Sequence, residues 1–216
     1  NENTVEKEVT TNPRTWNGKI DISWYTKDPN KTTFDISTPN ELAGLALLVD
    51  NEIAYYDDPH DANNTSGTYS IAGSEFEGKT IVLNNDILIN ENVLNEDGTL
   101  NEANASTFMQ WEPIGEPSAV VDSNDSTKSI YLENPRVFRA TFDGNEYNIK
   151  GLYINKENEF EQSFISQNYG AIKNLELEEG FIYSKAITRT LCSTERTNND
   201  IPTQRNNSQK RQNCHT

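Results

Sequence analysis

One stretch of the chain carries apolar residues at helical spacing. They recur every three or four positions, at Leu42, Leu45, Leu48 and Val49. This spacing predicts an amphipathic helix over about 39–49. Thr38 followed three residues later by Glu41 has the sequence of a capping box, and Pro39 stands at the first helical position, where its missing N–H costs nothing. So short a helix is marginal alone, and we expect its apolar stripe to pack on a larger body.

The rest of the pattern is typical of short β-strands. Apolar and polar residues alternate in small groups, each bounded by Asn, Asp or Gly, as strands that end in turns are. These groups fall at 79–83, 86–90, 137–142, 147–155 and 171–177. Asn is frequent throughout, and its tolerance of left-handed backbone suits repeated corners, so we interpret Asn155, Asn168 and Asn174 as structural. One helix and many strands predict an all-β fold.

Two of these strands share a motif. Residues 149–154 read Ile-Lys-Gly-Leu-Tyr-Ile and residues 172–177 read Ile-Lys-Asn-Leu-Glu-Leu, at an offset of 23 residues. Recurrence at 20–50 residues indicates a stacked repeat architecture. We therefore expect an all-β parallel β-helix, or β-solenoid, with coils of about 23 residues and an N-terminal capping α-helix at about 39–49. A β-sandwich is the alternative.

Composition agrees with a thin core and excludes two function classes. Leu, Ile, Val and Phe together number 46 of 216 residues, close to the roughly 20% below which disorder is common, and mean hydropathy is −0.80. A solenoid coil encloses few apolar side chains, so a low content of apolar residues is compatible with this fold. The 18 basic and 34 acidic residues give a net charge of −16, which argues against nucleic-acid binding. We also expect no membrane span, because no apolar run approaches the roughly 20 residues required.

Charge and aromatic content change near the carboxyl end. From residue 185 onward six basic residues face two acidic ones, so this segment carries +4 and residues 1–184 carry −20. No aromatic residue follows Tyr183, and both cysteines, Cys192 and Cys214, lie beyond it. We expect three regions: a disordered N-terminal segment at 1–15, a β-solenoid module with its cap at 16–184, and a disordered, polar, basic tail at 185–216. The tail is interpreted as a truncated or out-of-frame continuation with free thiols.

Several motifs, taken in order, carry a resemblance to a known family. They fall at 16–25, 34–49, 78–81, 85–87, 111–115, 141–145, 149–155 and 170–177. In this order they resemble bacterial secreted and cell-surface modules that carry the GLUG repeat. The chain departs from that pattern at Ser163–Ser166, where the motif that names the family is expected, and at Leu88, which replaces an Asp. It also has insertions at about 51–74 and 116–136.

The resemblance implies a parallel β-helix that serves as a stalk, an adhesin-like region or an accessory part of a larger surface protein. Activity in such proteins generally lies elsewhere in the polypeptide, so the resemblance implies a non-enzymatic module and no cofactor. It also implies secretion or surface attachment, a monomeric module of a longer chain, and host or bacterial surface glycans or proteins as partners. The amino terminus is acidic and polar, so we expect no signal peptide in this chain.

Candidate metal chemistry is sparse. His60 stands among aspartates, but a zinc site needs further His or Cys ligands that the body lacks. Residues 95–98 and 122–125 resemble calcium loops without their full spacing and are interpreted as solvated turns. We therefore predict no metal site.

Two groups of side chains point to carbohydrates. Glu176 and Glu178 share one face of a predicted strand about 7 Å apart, a spacing that paired carboxylates use to cleave glycosides. Tyr131, Tyr153 and Tyr169 form a candidate glycan-binding face, with Tyr153 predicted to point outward because Leu152 and Ile154 point inward. We assign no catalytic residue. Beside the non-enzymatic module, two alternatives stay open: a glycan-binding β-helix, or a fragment of a polysaccharide-cleaving enzyme or surface protease.

Overall fold

A computed structural model describes residues 15–57, 69–159, 162–184 and 192–194. In these residues the protein is mostly β, with two α-helices, α1 (Ser23–Thr26) and α2 (Pro39–Asp50), and one turn of 3₁₀ helix (Ala105–Thr107). The strands are β1 (Thr33–Ile36), β2 (Ile53–Tyr56), β3 (Tyr69–Ala72), β4 (Thr80–Leu83), β5 (Ile87–Leu88), β6 (Ala119–Asp122), β7 (Asp125–Tyr131), β8 (Thr141–Asp143), β9 (Asn148–Lys150), β10 (Tyr153–Lys156), β11 (Ile165–Gln167), β12 (Ala171–Lys173), β13 (Glu176–Glu178), β14 (Phe181–Ser184) and β15 (Cys192–Thr194). The all-β prediction is confirmed.

Helix α2 forms where the spacing predicted it. The Thr38 hydroxyl accepts the Glu41 N–H at 3.2 Å, and the Glu41 carboxylate accepts the Thr38 N–H at 3.0 Å, which completes the capping box. The predicted apolar stripe is buried, at Leu42, Leu45, Leu48 and Val49. The helix is therefore held by its cap at one end and by core packing along its length.

Most strands pair in parallel. One sheet has the order β1-β4-β8-β12 and another the order β5-β9-β13, and β10 pairs with β14 as β11 pairs with β15. Each pair is parallel. Strands that neighbour one another in these parallel sheets are therefore not consecutive in the chain. The core runs along these sheets as rows of buried side chains, such as Phe34, Ile81, Phe142 and Ile172.

Two predicted strands are each divided by a corner. The predicted strand 147–155 is β9 and β10, separated at Gly151, which has a φ of 78°. Likewise 171–177 is β12 and β13, separated at Asn174 with a φ of 52°. An added Cβ at Gly151 would stand 1.8 Å from the Asn90 carbonyl oxygen, so this corner requires glycine.

The offset between the two motif copies does not describe the stacking. Ile149 pairs with Leu177, at the end of the second copy, and Ile172 pairs with Phe142, which precedes the first copy. The prediction that stacked strands lie about 23 residues apart in the sequence is therefore wrong. The physical reason is that the shared motif encodes a strand, a left-handed corner and a second strand, and it occurs at two different corners.

In the described residues, each predicted insertion contains a pair of antiparallel strands, which we call a hairpin. Strands β2 and β3 pair at the base of the first insertion, and β6 and β7 form the second. The molecule therefore combines parallel and antiparallel sheets. Residues 58–68 of the first insertion, which include His60, lie outside the described residues.

The predicted disordered ends lie almost wholly outside the described residues. Within the predicted tail the structure describes β15, which pairs in parallel with β11. In the part of the chain that is described, the helices are all too short or too polar to cross a membrane.

Candidate functional site

A cleft of about 630 Å³ lies between the loop that follows β5 and strand β13. Glu96 and Asp97 line it from the loop, and Glu176, Glu178 and Glu179 line it from the strand and the corner after it. The turn at 95–98 and the paired glutamates, which are far apart in the sequence, thus line the same cleft.

The loop is held by short-range hydrogen bonds. The Asn95 N–H donates to the Thr99 carbonyl at 2.8 Å, and Leu94 and Leu100 form an isolated antiparallel bridge. The Asp97 carboxylate accepts the N–H and the hydroxyl of Thr99 at 3.0 and 2.6 Å. These two bonds favour the charged form and lower the pKa of Asp97. Residues 95–98 therefore form a self-contained turn, as predicted.

The opposite wall is set by strand alternation. Leu177 packs against the core, so Glu176 and Glu178 on either side of it face away from the core. Glu178 accepts a hydrogen bond from the Asn148 side chain at 2.8 Å, and Glu179 forms an ion pair with Lys150 at 3.0 Å. These partners belong to the neighbouring strand β9, so parallel pairing fixes the positions of the glutamates.

A second cleft of about 400 Å³ shares Asn92 and Glu178 with the first. Its lining adds Asp86, Glu91, Asn148 and Lys150. Lys150 is the one basic residue among those lining the two clefts. The resulting groove is strongly acidic, which disfavours anionic ligands.

Among the residues that the structure describes, no three His, Cys, Asp or Glu side chains are arranged so that they could hold a metal ion. The second calcium-like stretch, 122–125, is the turn between β6 and β7, where Asp122 accepts the Asn124 N–H at 2.8 Å.

The predicted tyrosine face is not assembled. Tyr153 is 7% exposed, because the Phe181 ring stacks on it at 5.9 Å and the Phe108 ring meets it edge-on at 5.3 Å. The prediction that Tyr153 is available at the surface is therefore wrong. Strand alternation gave its direction, but the loop that carries Phe108 covers it.

The other two tyrosines are exposed on separate elements. Tyr131 is 77% exposed at the end of β7, in the second hairpin. Tyr169 is 46% exposed between β11 and β12, and the Arg139 guanidinium lies 5.1 Å from its ring centre. Both remain candidate ligand contacts, without Tyr153 between them.

A further polar cluster surrounds the carboxyl end of α2 and was not predicted from the sequence. Asp50, the last residue of α2, accepts the Gly115 N–H at 2.6 Å, and Arg136 donates from Nε to the Val49 carbonyl at 2.5 Å. Glu116 accepts the Arg136 N–H at 2.7 Å. The available signal was an acidic residue at the carboxyl end of an apolar helix, where it opposes the helix dipole.

Comparison of the chain with protein-family models, with curated proteins and with solved structures gives no match.

Proposed function

We propose that the chain is a β-solenoid module, capped at its amino end by α2, and that it serves as a non-enzymatic part of a bacterial secreted or cell-surface protein. The resemblance to GLUG repeat modules supports the surface role. On this proposal the partners are surface glycans or proteins, and the module is one part of a longer chain.

The observation that carries the proposal is the regular spacing between paired residues. Ile149 pairs with Leu177, Ile154 with Ile182, and Phe142 with Ile172. In this part of the chain each parallel sheet thus gains one strand at nearly constant intervals of sequence, as stacked coils of one chain require. Earlier passes are longer because they contain α2 and the hairpin insertions.

Asparagine side chains support a scaffolding role for many polar residues. Asn90 donates to the carbonyls of Met109 and Gly151 at 3.0 and 2.9 Å and accepts the Met109 N–H at 2.7 Å. Asn174 donates to the Asp143 carboxylate on the neighbouring strand at 3.0 Å. Such bonds tie one pass of the chain to the next, so these residues are explained without a ligand.

A second candidate function is cleavage of a polysaccharide in the acidic groove. The observation that favours it is the position of Glu176 and Glu178 opposite Glu96 and Asp97 across an open cleft. Glycoside cleavage uses two carboxyl groups that flank the bond to be broken. Because the groove is acidic, neutral or cationic sugars are the expected substrates.

One experiment separates the two candidates. The purified chain is incubated with neutral, cationic and acidic polysaccharides, and the release of reducing ends is measured. Binding of glycans is measured separately on a glycan array. The non-enzymatic proposal predicts no turnover. Turnover that disappears in Glu176→Gln and Glu178→Gln, and survives in the exposed control Glu77→Gln, would contradict it and establish the second function.

A further inference from the structure

Asp50 lies where three parts of the chain meet. It ends α2, the next residues lead into the β2–β3 hairpin, and its carboxylate binds the backbone N–H of Gly115 at the base of the β6–β7 hairpin. The other side of that base is Arg136, whose carbonyl accepts the Glu116 N–H at 2.8 Å. We call Asp50, Gly115, Glu116 and Arg136 the hairpin junction. It joins the helix to the bases of both insertions.

A negative charge on Asp50 is poorly accommodated in this junction. The side chain is half-buried and stands at the carboxyl end of α2, where backbone carbonyls already concentrate negative charge. Glu112 and Glu116 face it from the segment before the second hairpin, and Arg136 is the facing cation. The Arg136 side chain also donates from Nε to the Val49 carbonyl at 2.5 Å, so its charge is shared between this carbonyl and Asp50.

The balance of these effects favours the neutral acid. Burial is the largest and, with Glu116 and Glu112, raises the pKa of Asp50 to about 7. The Gly115 N–H, which is the second-largest effect, and the Arg136 charge, which is the smallest, both lower the pKa but do not offset the effect of burial. The protonated carboxyl still accepts the Gly115 N–H at its carbonyl oxygen, so protonation relieves the charge and keeps the contact.

The geometry points to a pH-sensitive latch: the hairpin junction holds α2 and the two hairpin bases together most firmly when Asp50 is protonated, and loosens as Asp50 ionises. The latch affects only α2 and the bases of the two hairpins. It does not depend on which of the proposed functions is correct.

The sign follows from comparing the closed and open junctions. In an open junction Asp50 is in water and its pKa returns to about 4. Between about pH 4 and pH 7 the open form loses its proton while the closed form keeps it, so opening becomes about tenfold more favourable per pH unit. Above about pH 7 both forms are ionised, and opening no longer depends on pH.

Two measurements on the whole chain test the latch. The carboxyl carbon resonance of Asp50 is followed by NMR from pH 3 to pH 9, and amide hydrogen exchange of Gly115, corrected for its intrinsic rate, is measured from pH 5 to pH 8. We expect Asp50 to titrate near 7 and protection of Gly115 to fall about tenfold per unit between pH 5 and about 6.5, then level off. Titration of Asp50 near 4 would overturn the proposal on the wild-type chain alone.

Asp50→Asn supplies the matched variant, because the amide keeps an acceptor oxygen and cannot ionise. Its Gly115 protection is expected to be independent of pH, while Asp35→Asn, an exposed aspartate on β1, retains the wild-type profile. An unchanged pH dependence in Asp50→Asn would show that another group controls the junction and would reject the latch.

Discussion

Single residues at the corners determine how closely two segments of the chain approach each other. At Gly151 the backbone is left-handed, and the Asn90 carbonyl occupies the space where any other residue would place its Cβ. At Gly98 the backbone is also left-handed, with a φ of 81°, but the space around it is open. A substitution at Gly98 therefore measures the cost of left-handed backbone alone, and a substitution at Gly151 adds the cost of a steric overlap.

Gly151→Ala is expected to destabilise the protein by roughly 3–5 kcal/mol, because left-handed strain and an overlap with backbone act together. Gly98→Ala carries the strain alone and is expected to cost about 1–2 kcal/mol. Urea unfolding followed by tryptophan fluorescence measures both. Equal losses in the two variants would show that close approach at Gly151 contributes nothing.

For single residues, the sequence predicted which way a side chain points better than it predicted which residues surround that side chain. Alternation correctly separated Leu177 from Glu176 and Glu178, because it depends only on neighbours in the chain. The burial of Tyr153 depends on Phe108, which lies on a loop far from it in sequence. The pKa of Asp50 is raised first by burial, and the Gly115 N–H, Glu116, Glu112 and Arg136 modify it further. Contacts between distant segments leave no local pattern from which to predict them.

Among the elements, α2 was predicted most completely because its signals are local. Its N-cap, its first-turn proline and its apolar spacing all act within a few residues. The paired motif at 149–154 and 172–177 was also a real structural signal, since Gly151 and Asn174 both take a positive φ at its third position. The motif marks a corner between two strands and occurs at two different corners, so the spacing between its copies did not give the spacing between paired strands.

The capping box makes a measurable contribution to α2. Thr38→Ala removes the acceptor for the Glu41 N–H and is expected to cost about 1 kcal/mol of unfolding free energy. Thr33→Ala, at an exposed position of β1, is the control and is expected to change stability by no more than about 0.5 kcal/mol. Equal effects in urea unfolding would mean that the cap is not stabilising the helix.

In the described part of the molecule, the buried apolar side chains lie in rows along the parallel sheets. Phe34, Ile81, Phe142 and Ile172 form one such row along four paired strands. The acidic groups lie outside these rows, and seven of them line the groove beside β13. The parallel pairing of β13 with β9 thus sets the position of one wall of this groove, and the loop after β5 forms the other.

Cysteine cross-linking tests the stacking most directly. In a background with Cys192→Ser and Cys214→Ser, the pair Lys150→Cys and Glu178→Cys joins two register partners on β9 and β13. Paired parallel strands lie about 4.8 Å apart, which a disulfide spans. The control pair, Lys150→Cys and Lys173→Cys, joins equivalent positions of the two motif copies. We predict that mild oxidation closes the first pair and leaves the second reduced; a disulfide in the second pair and none in the first would contradict the stacking.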